Sequence, residues 1–276
     1  MQVIKYLTVV LGFTFLSSCQ EQEPLRPPQS EWRIITMGPS TASLLVTLGL
    51  KENIVGVSEW CSVQELNHVS RIGSLSAPSI EKIIALEPNI VLGQGAQKAL
   101  EEFCKNYDIY YHQFNTDNIK SWEEEVLMLG NTFNKNEEAL DLVATLNKNF
   151  PNRGIDKNAP SCLIVASRKE YEIGGLLVAG RSSFLSELVE RVGGANIVED
   201  DSDYIYLQNE LLLELDPDII IELHPTEVSQ EAIKNLWKER FPGLKARLKI
   251  ISNEGVLMPG SNIMKSASLL KQAIQE

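Results

Sequence analysis

The chain has 276 residues, 43% apolar and 22% charged, enough to bury one large core or two smaller ones. Its formal charge of −12 argues against nucleic acid as a partner and suits docking onto a basic protein surface. Four cysteines and three scattered histidines (His68, His112, His224) show neither zinc-site spacing nor a His-Glu-x-x-His pattern, so a hydrolytic zinc centre does not fit.

In chain order, residues 1–18 come first, with an apolar stretch from Leu7 to Leu16. It is too short to span a bilayer and the right length for the core of a secretory signal. The following Leu16-Ser17-Ser18-Cys19 is similar to a bacterial lipoprotein processing site, which implies that Cys19 is the acylated first residue of the mature protein. Residues 19–31 are polar and Pro-rich and read as an extended tether. Beyond the signal no second long apolar run exists.

Residues 32–120 alternate strand and helix patterns. Arg33 to Met37 reads as a strand, Gly38-Pro39-Ser40 as a turn, Thr41 to Leu48 as a helix, and Ile54 to Val57 as a strand. A Ser79-capped helix leads to a strand at Ile90, and Ala96 to Lys105 and Ile109 to His112 give a further helix and strand. Such alternation predicts a mainly parallel sheet with helices on both faces. Residues 121–150 carry one apolar stripe through Trp122, Val126, Leu129, Phe133, Leu140, Val143, Leu146 and Phe150. Without a Pro before Pro151, and with Ser121 and Glu124 spaced as a capping box, it reads as a single connecting helix. Residues 151–276 resume the rhythm, with strands at Cys162–Ala166, Ile219–Leu223 and Lys249–Ser252. Helices are expected at Phe184–Val192, Leu207–Leu215, Val228–Arg240 and Ile263–Ile274. The fold class is therefore α/β: two lobes with mainly parallel sheets, joined by one long helix.

A short unit occurs once in each lobe: SIEKIIALEPNIVLG and QNELLLELDPDIIIEL. In both, a Glu (Glu81, Glu210) precedes a Pro (Pro88, Pro217) by seven residues, and an apolar run follows. The Pro ends a helix and biases Glu87 or Asp216 toward extended geometry, so each copy reads as helix, tight turn and buried strand. Of the cysteines other than Cys19, an odd number remains (Cys61, Cys104, Cys162), so at least one thiol is unpaired within the molecule.

In order and spacing, RIITMGPSTASLLVTLGLKENIVGVSEWC, IGSLSAPSIEKIIALEPNIVLG, VAGRSSFLSELVERVGGANIV and MPGSNIMKSASLLKQAI resemble the helical-backbone (class III) substrate-binding proteins of ABC importers for iron chelates, haem and cobalamin. The resemblance spans nearly all of the mature chain. It implies a monomeric, non-enzymatic receptor tied to a membrane by lipid, with a ligand cleft between the lobes and small hinge motion. It also implies that Glu81 and Glu210 dock on Arg residues of the permease, a steered and releasable contact.

Open α/β sheets bind ligands at the carboxyl ends of their strands. The first lobe places Pro39, Ser40, Thr41, Trp60, Cys61 and Gln94 there, and the second Arg168, Arg181, His224 and Met258. Trp60 offers an apolar face to a macrocycle, against the alternative of core packing. Arg168 and Arg181 suit the oxygens of an anionic iron chelate or the phosphate of a corrinoid. Cys61 and His224 are candidate axial ligands to haem iron or cobalt, against the plainer reading as a thiol and a loop imidazole. The expected cargo is a metal chelate of iron–siderophore or cobalamin type, and no resident cofactor or metal is implied. Haem, or bare zinc or manganese, is the alternative cargo. A hydrolase using Ser40 fits less well, because Gly38-Pro39-Ser40-Thr41-Ala42 lacks the second Gly of a nucleophile elbow.

Overall fold

The computed structural model describes residues 31–95, 97–168, 175–253 and 255–276; the signal segment, Cys19 and the tether as far as Ser30 lie outside them. The first lobe contains β1 (Ile34–Thr36), α1 (Pro39–Thr47), β2 (Ile54–Val57), β3 (Ser70–Arg71), α2 (Ile80–Ala85), β4 (Ile90–Gln94), α3 (Lys98–Asn106) and β5 (Tyr110–Phe114). Its sheet is parallel throughout, in the order β3-β2-β1-β4-β5. The all-buried Ile34-Ile35-Thr36 of β1 lies between β2 and β4, as a short central parallel strand requires.

Two helices follow, α4 (Ile119–Thr132) and α5 (Asn136–Asn149). The single helix expected over residues 121–150 is therefore corrected to a helical hairpin. Asn134 adopts a left-handed conformation (φ 57°), and Lys135 N–H donates back to the Gly130 carbonyl at 2.7 Å. A Cβ on Gly130 would lie 2.5 Å from that of Ala139, so the missing side chain lets the helices approach. Asn147 on α5 reaches Glu123 on α4 at 2.7 Å, which makes the pair antiparallel. One apolar stripe serves both helices because Trp122, Val126, Leu129, Ala139 and Leu146 all enter a common core. The expected capping box also shifts: Asn118 caps α4, and Ser121, three residues on, returns the bond.

The second lobe comprises β6 (Ser161–Ser167), β7 (Leu176–Ala179), α6 (Phe184–Arg191), β8 (Ala195–Asn196), β9 (Tyr204–Leu207), α7 (Asn209–Leu215), β10 (Ile219–His224), α8 (Gln230–Arg240), β11 (Arg247–Ser252) and α9 (Ile263–Gln275). Its sheet runs β11-β10-β6-β7-β9, with β8 paired to β6. β7 is antiparallel to both neighbours, so this sheet is mixed. The two-lobed α/β architecture stands. Among the described residues no helix is long and apolar enough to cross a membrane.

The repeated unit folds alike in both lobes. α2 turns into β4 and α7 into β10, with Ile83 and Leu212 fully buried at equivalent positions. Glu87 and Asp216 are not extended; both have φ 44°. The helix end calls for a left-handed residue to reverse the chain, and the following Pro disfavours only a further right-handed one. The residue after each Pro then clamps the neighbouring strand. Asn89 Oδ1 accepts from Arg33 N–H at 3.0 Å ahead of β1, and Asp218 Oδ2 accepts from Ser161 N–H at 2.8 Å at the start of β6.

The Ser161 backbone and hydroxyl donors hold the Asp218 carboxyl below its usual range. Folded pKa below unfolded pKa means that its contribution to stability is complete above about pH 4 and fades as pH falls through the folded value. Because Asp218 is exposed, Asp218→Ala is expected to cost only about 1 kcal/mol at neutral pH. In urea melts that deficit should shrink as the pH is lowered to 3.

Candidate functional site

The segments that follow the carboxyl ends of β1 and β11 meet at the junction between the lobes. From the first lobe comes the start of α1, with Pro39 as its opening residue, where a missing N–H costs nothing. From the second comes the 255–262 loop between β11 and α9. Ser261 N–H donates to Ser43 Oγ at 3.1 Å across this junction. A Cβ on Gly260 would lie 2.5 Å from Ser43 Oγ and 3.0 Å from the Ser40 carbonyl oxygen, so glycine permits the approach. Pro39, Ser40, Ser43, Glu65, Met258 and Asn262 help to line a cavity of about 240 Å³ there.

The expected site residues thus divide. Pro39, Ser40 and Met258 meet at this cavity. Gln94, at the end of β4, does not line it; its side chain lies against Gly38, where a Cβ would collide with it. Thr41 is fully buried, and its hydroxyl, like those of Ser40, Ser58 and Ser252, has no hydrogen-bond partner among the described residues. All four sit at or just after the carboxyl ends of β1, β2 and β11. Trp60 is 69% exposed, which removes the core-packing alternative.

Cys61 is corrected: it is buried in the hydrophobic core and its thiol faces no cavity among those described. Cys61, Cys104 and Cys162 are all free, and burial pushes the thiols of Cys104 and Cys162 up to about 11.

The two arginines do not form a cationic pair. Arg181 is exposed and faces Asp201 at 3.4 Å. The Arg168 side chain, 5% exposed, donates from Nε to Glu222 Oε1 at 2.7 Å. Glu222 itself was not foreseen, although a carboxylate inside the apolar run IIIEL of a central strand was the signal for it. It is 1% exposed, also accepts a hydrogen bond from Trp237 Nε1, and lies 2.8 Å from His224 Nε2 through Oε1. A buried carboxylate needs such donors to persist. His224, at the end of β10, opens with Arg168 and the 225–229 loop onto a second cavity, of about 510 Å³. The other described histidine with a charged partner, His112, is taken by Glu125 at 2.7 Å.

Glu81 and Glu210 lie exposed in the first turns of α2 and α7. Each helix connects strands that run the same way and so begins at the carboxyl end of its sheet, the end that carries the cleft.

The periplasmic binding protein model matches residues 34–242, about three quarters of the chain. The chain belongs to the periplasmic binding protein family. It is 32% identical over 250 residues to the high-affinity heme uptake system protein IsdE of Staphylococcus aureus, covering 87% of this chain and 83% of that relative. The solved structure of S. aureus IsdE complexed with heme superposes with a TM-score of 0.69 at 25% identity, over 90% of this chain and 100% of that one. The periplasmic vitamin B12 binding protein BtuF of Vibrio cholerae gives 0.69 at 16% identity over 88% and 96%, a likeness of fold. The chain is thus an extracytoplasmic substrate-binding protein that delivers a small molecule to an ABC importer permease, and its work is transport, not catalysis.

The junction geometry makes a direct prediction for this binding protein. Gly260→Val should force the 255–262 loop off α1, lower stability by about 1–3 kcal/mol, and raise the radius of gyration in solution scattering. Ser43→Ala should leave the radius unchanged.

Proposed function

We propose that the cargo of this binding protein is haem. The observation that carries the reading is His224: an imidazole at the carboxyl end of a central strand, held by a buried carboxylate and opening onto a 510 Å³ cavity. Neutral imidazole is a good iron ligand, and the cavity volume lies within the usual range of small-molecule sites, about 300–1,000 Å³. The exposed Trp60 indole supplies an apolar face at the carboxyl end of the other sheet. An anionic ferric siderophore is less well served, because Arg168 is neutralised by Glu222 and Arg181 faces Asp201. The relative named for heme uptake supports the same choice. The lipid anchor at Cys19 and the tether of residues 19–31 remain part of this proposal, as does a monomeric receptor.

Titration of the purified protein with haemin, cyanocobalamin and a ferric catecholate, each followed by its absorption spectrum, tests the cargo. Micromolar or tighter binding of haemin alone is expected, and His224→Ala should weaken it about tenfold or more while shifting the Soret band. Preferential binding of the corrinoid or the catecholate would overturn the reading.

Docking is assigned to Glu81 and Glu210, two exposed carboxylates at the cleft end of equivalent units. In proteoliposomes holding the importer, Glu81→Ala with Glu210→Ala should depress uptake, with each lost desolvated charge pair costing about 2–5 kcal/mol of association. Haemin affinity should be unaltered; its loss with normal docking would refute the assignment.

A further inference from the structure

The repeated unit carries a second shared feature besides its carboxylate. Aligned on Pro88 and Pro217, the two copies bury the same helix positions: Ile83 and Leu212 are fully enclosed, and Leu86 and Leu215 are half-buried. Each helix leaves four positions exposed, and at two of them the copies differ: Lys82 stands where Leu211 is, and Ala85 where Glu214 is. Lys82 is also turned aside, its Nζ donating to the Arg71 carbonyl at 2.9 Å. The other two exposed positions keep their chemistry in both lobes. Glu81 matches Glu210, and three residues on Ile84 matches Leu213, with these apolar side chains 42% and 57% exposed. Neither carboxylate has an ion-pair partner among the described residues.

Side chains at i and i+3 of a helix are neighbours, about 5–6 Å apart at Cβ, so each Glu stands beside its apolar companion. An ion pair left open to water contributes little to a contact, whereas one ringed by apolar groups that exclude water counts for much more. We propose that Ile84 and Leu213 are apolar anchors of the permease contact, each filling a recess beside the basic group that receives Glu81 or Glu210. The inference rests on the docking role assigned to those carboxylates. Delivery to a permease is the family's work, and two unpaired carboxylates call for a partner with positive charge opposite them. A pair of features repeated in both lobes further calls for a partner that offers the matching place twice. The labour then divides: the carboxylates steer the encounter and set the association rate, while the anchors hold the docked complex and set its dissociation rate. Leu211 widens the apolar face in the second lobe alone, so Ile84 is the more isolated anchor.

The test follows association and dissociation of the purified protein on its importer held in lipid nanodiscs, at low and high salt. The variants are Ile84→Gln with Leu213→Gln, Glu81→Ala with Glu210→Ala, and Leu140→Gln. Glutamine keeps side-chain length and helix propensity at these exposed positions, so the fold is spared. Leu140, on the outer face of α5, is as exposed as Leu213 at 57% and serves as the control. The paired glutamine variant should dissociate about tenfold faster or more, with its association rate and salt dependence those of the unmutated protein. The paired alanine variant should associate more slowly and lose most of its salt dependence, and Leu140→Gln should change neither rate. Unaltered dissociation of the glutamine variant, with association still lost in the alanine variant, would overturn the anchors and leave the docking role of the carboxylates standing. Normal association of the alanine variant would remove that docking role and the anchors with it. A loss in Leu140→Gln equal to that in the glutamine variant would overturn the proposal as a general effect of surface apolarity. So would binding of the unmutated protein to nanodiscs of lipid alone, or a dimer in sedimentation velocity, if either vanished in the glutamine variant, since the face would then serve a bilayer or a second copy.

Discussion

Each lobe depends on a chain reversal in which a left-handed acidic residue, a proline and a short amide or carboxylate side chain follow one another. Glu87-Pro88-Asn89 and Asp216-Pro217-Asp218 turn a helix into a buried strand, and the third residue of each fastens the start of the adjacent strand. Acidic residues at positive φ carry a cost of about 1–2 kcal/mol, so the surrounding sheet must over-determine them. In return, β4 and β10 are held in register beside β1 and β6, and the helices before them begin at the cleft end. The positions of Glu81 and Glu210, and of Gln94 and His224 at the far ends of the two strands, follow from that one device.

The lobes share a continuous core. The largest cluster of buried side chains runs from α1 and the first sheet through Trp122, Val126 and Leu146 of the hairpin to α6 and α9. Polar ties lock the same path: Glu187 on α6 accepts the Ile119 N–H at 2.7 Å, and Phe184 N–H donates to the Asp117 carbonyl at 2.8 Å. Acidic groups gather beside these ties. Burial, and then the charge of Asp117, push the Asp203 carboxyl up, and burial followed by Asp203 and Asp117 raises Tyr204 to about 12. Among the described residues the junction combines buried apolar contacts with the Ser43–Ser261 hydrogen bond.

The two cavities differ in chemistry. The one between the lobes is lined by hydroxyls and a helix start, where N–H groups lack intrahelical partners. The one in the second lobe lies beside a buried ionic group, in which Glu222 accepts from Arg168 Nε and Trp237 Nε1, and these donors offset its desolvation.

Local chemistry in the sequence determined the two-lobed α/β plan, the repeated helix–turn–strand unit with its paired carboxylates, and most strands and helices. Periodicity, proline and glycine act within a few residues and so are legible in a single chain. Only the tertiary structure decided that residues 121–150 fold back as a hairpin, because an apolar stripe looks the same whether one helix or two present it to a common core. β7 and β9 were unreadable for a similar reason: strand direction is set by partners, not by the strand's own side chains. Cys61 went to the core, Arg168 to Glu222 and Arg181 toward Asp201, since a side chain's role at a strand end depends on neighbours that are 20 to 54 residues distant in sequence or further.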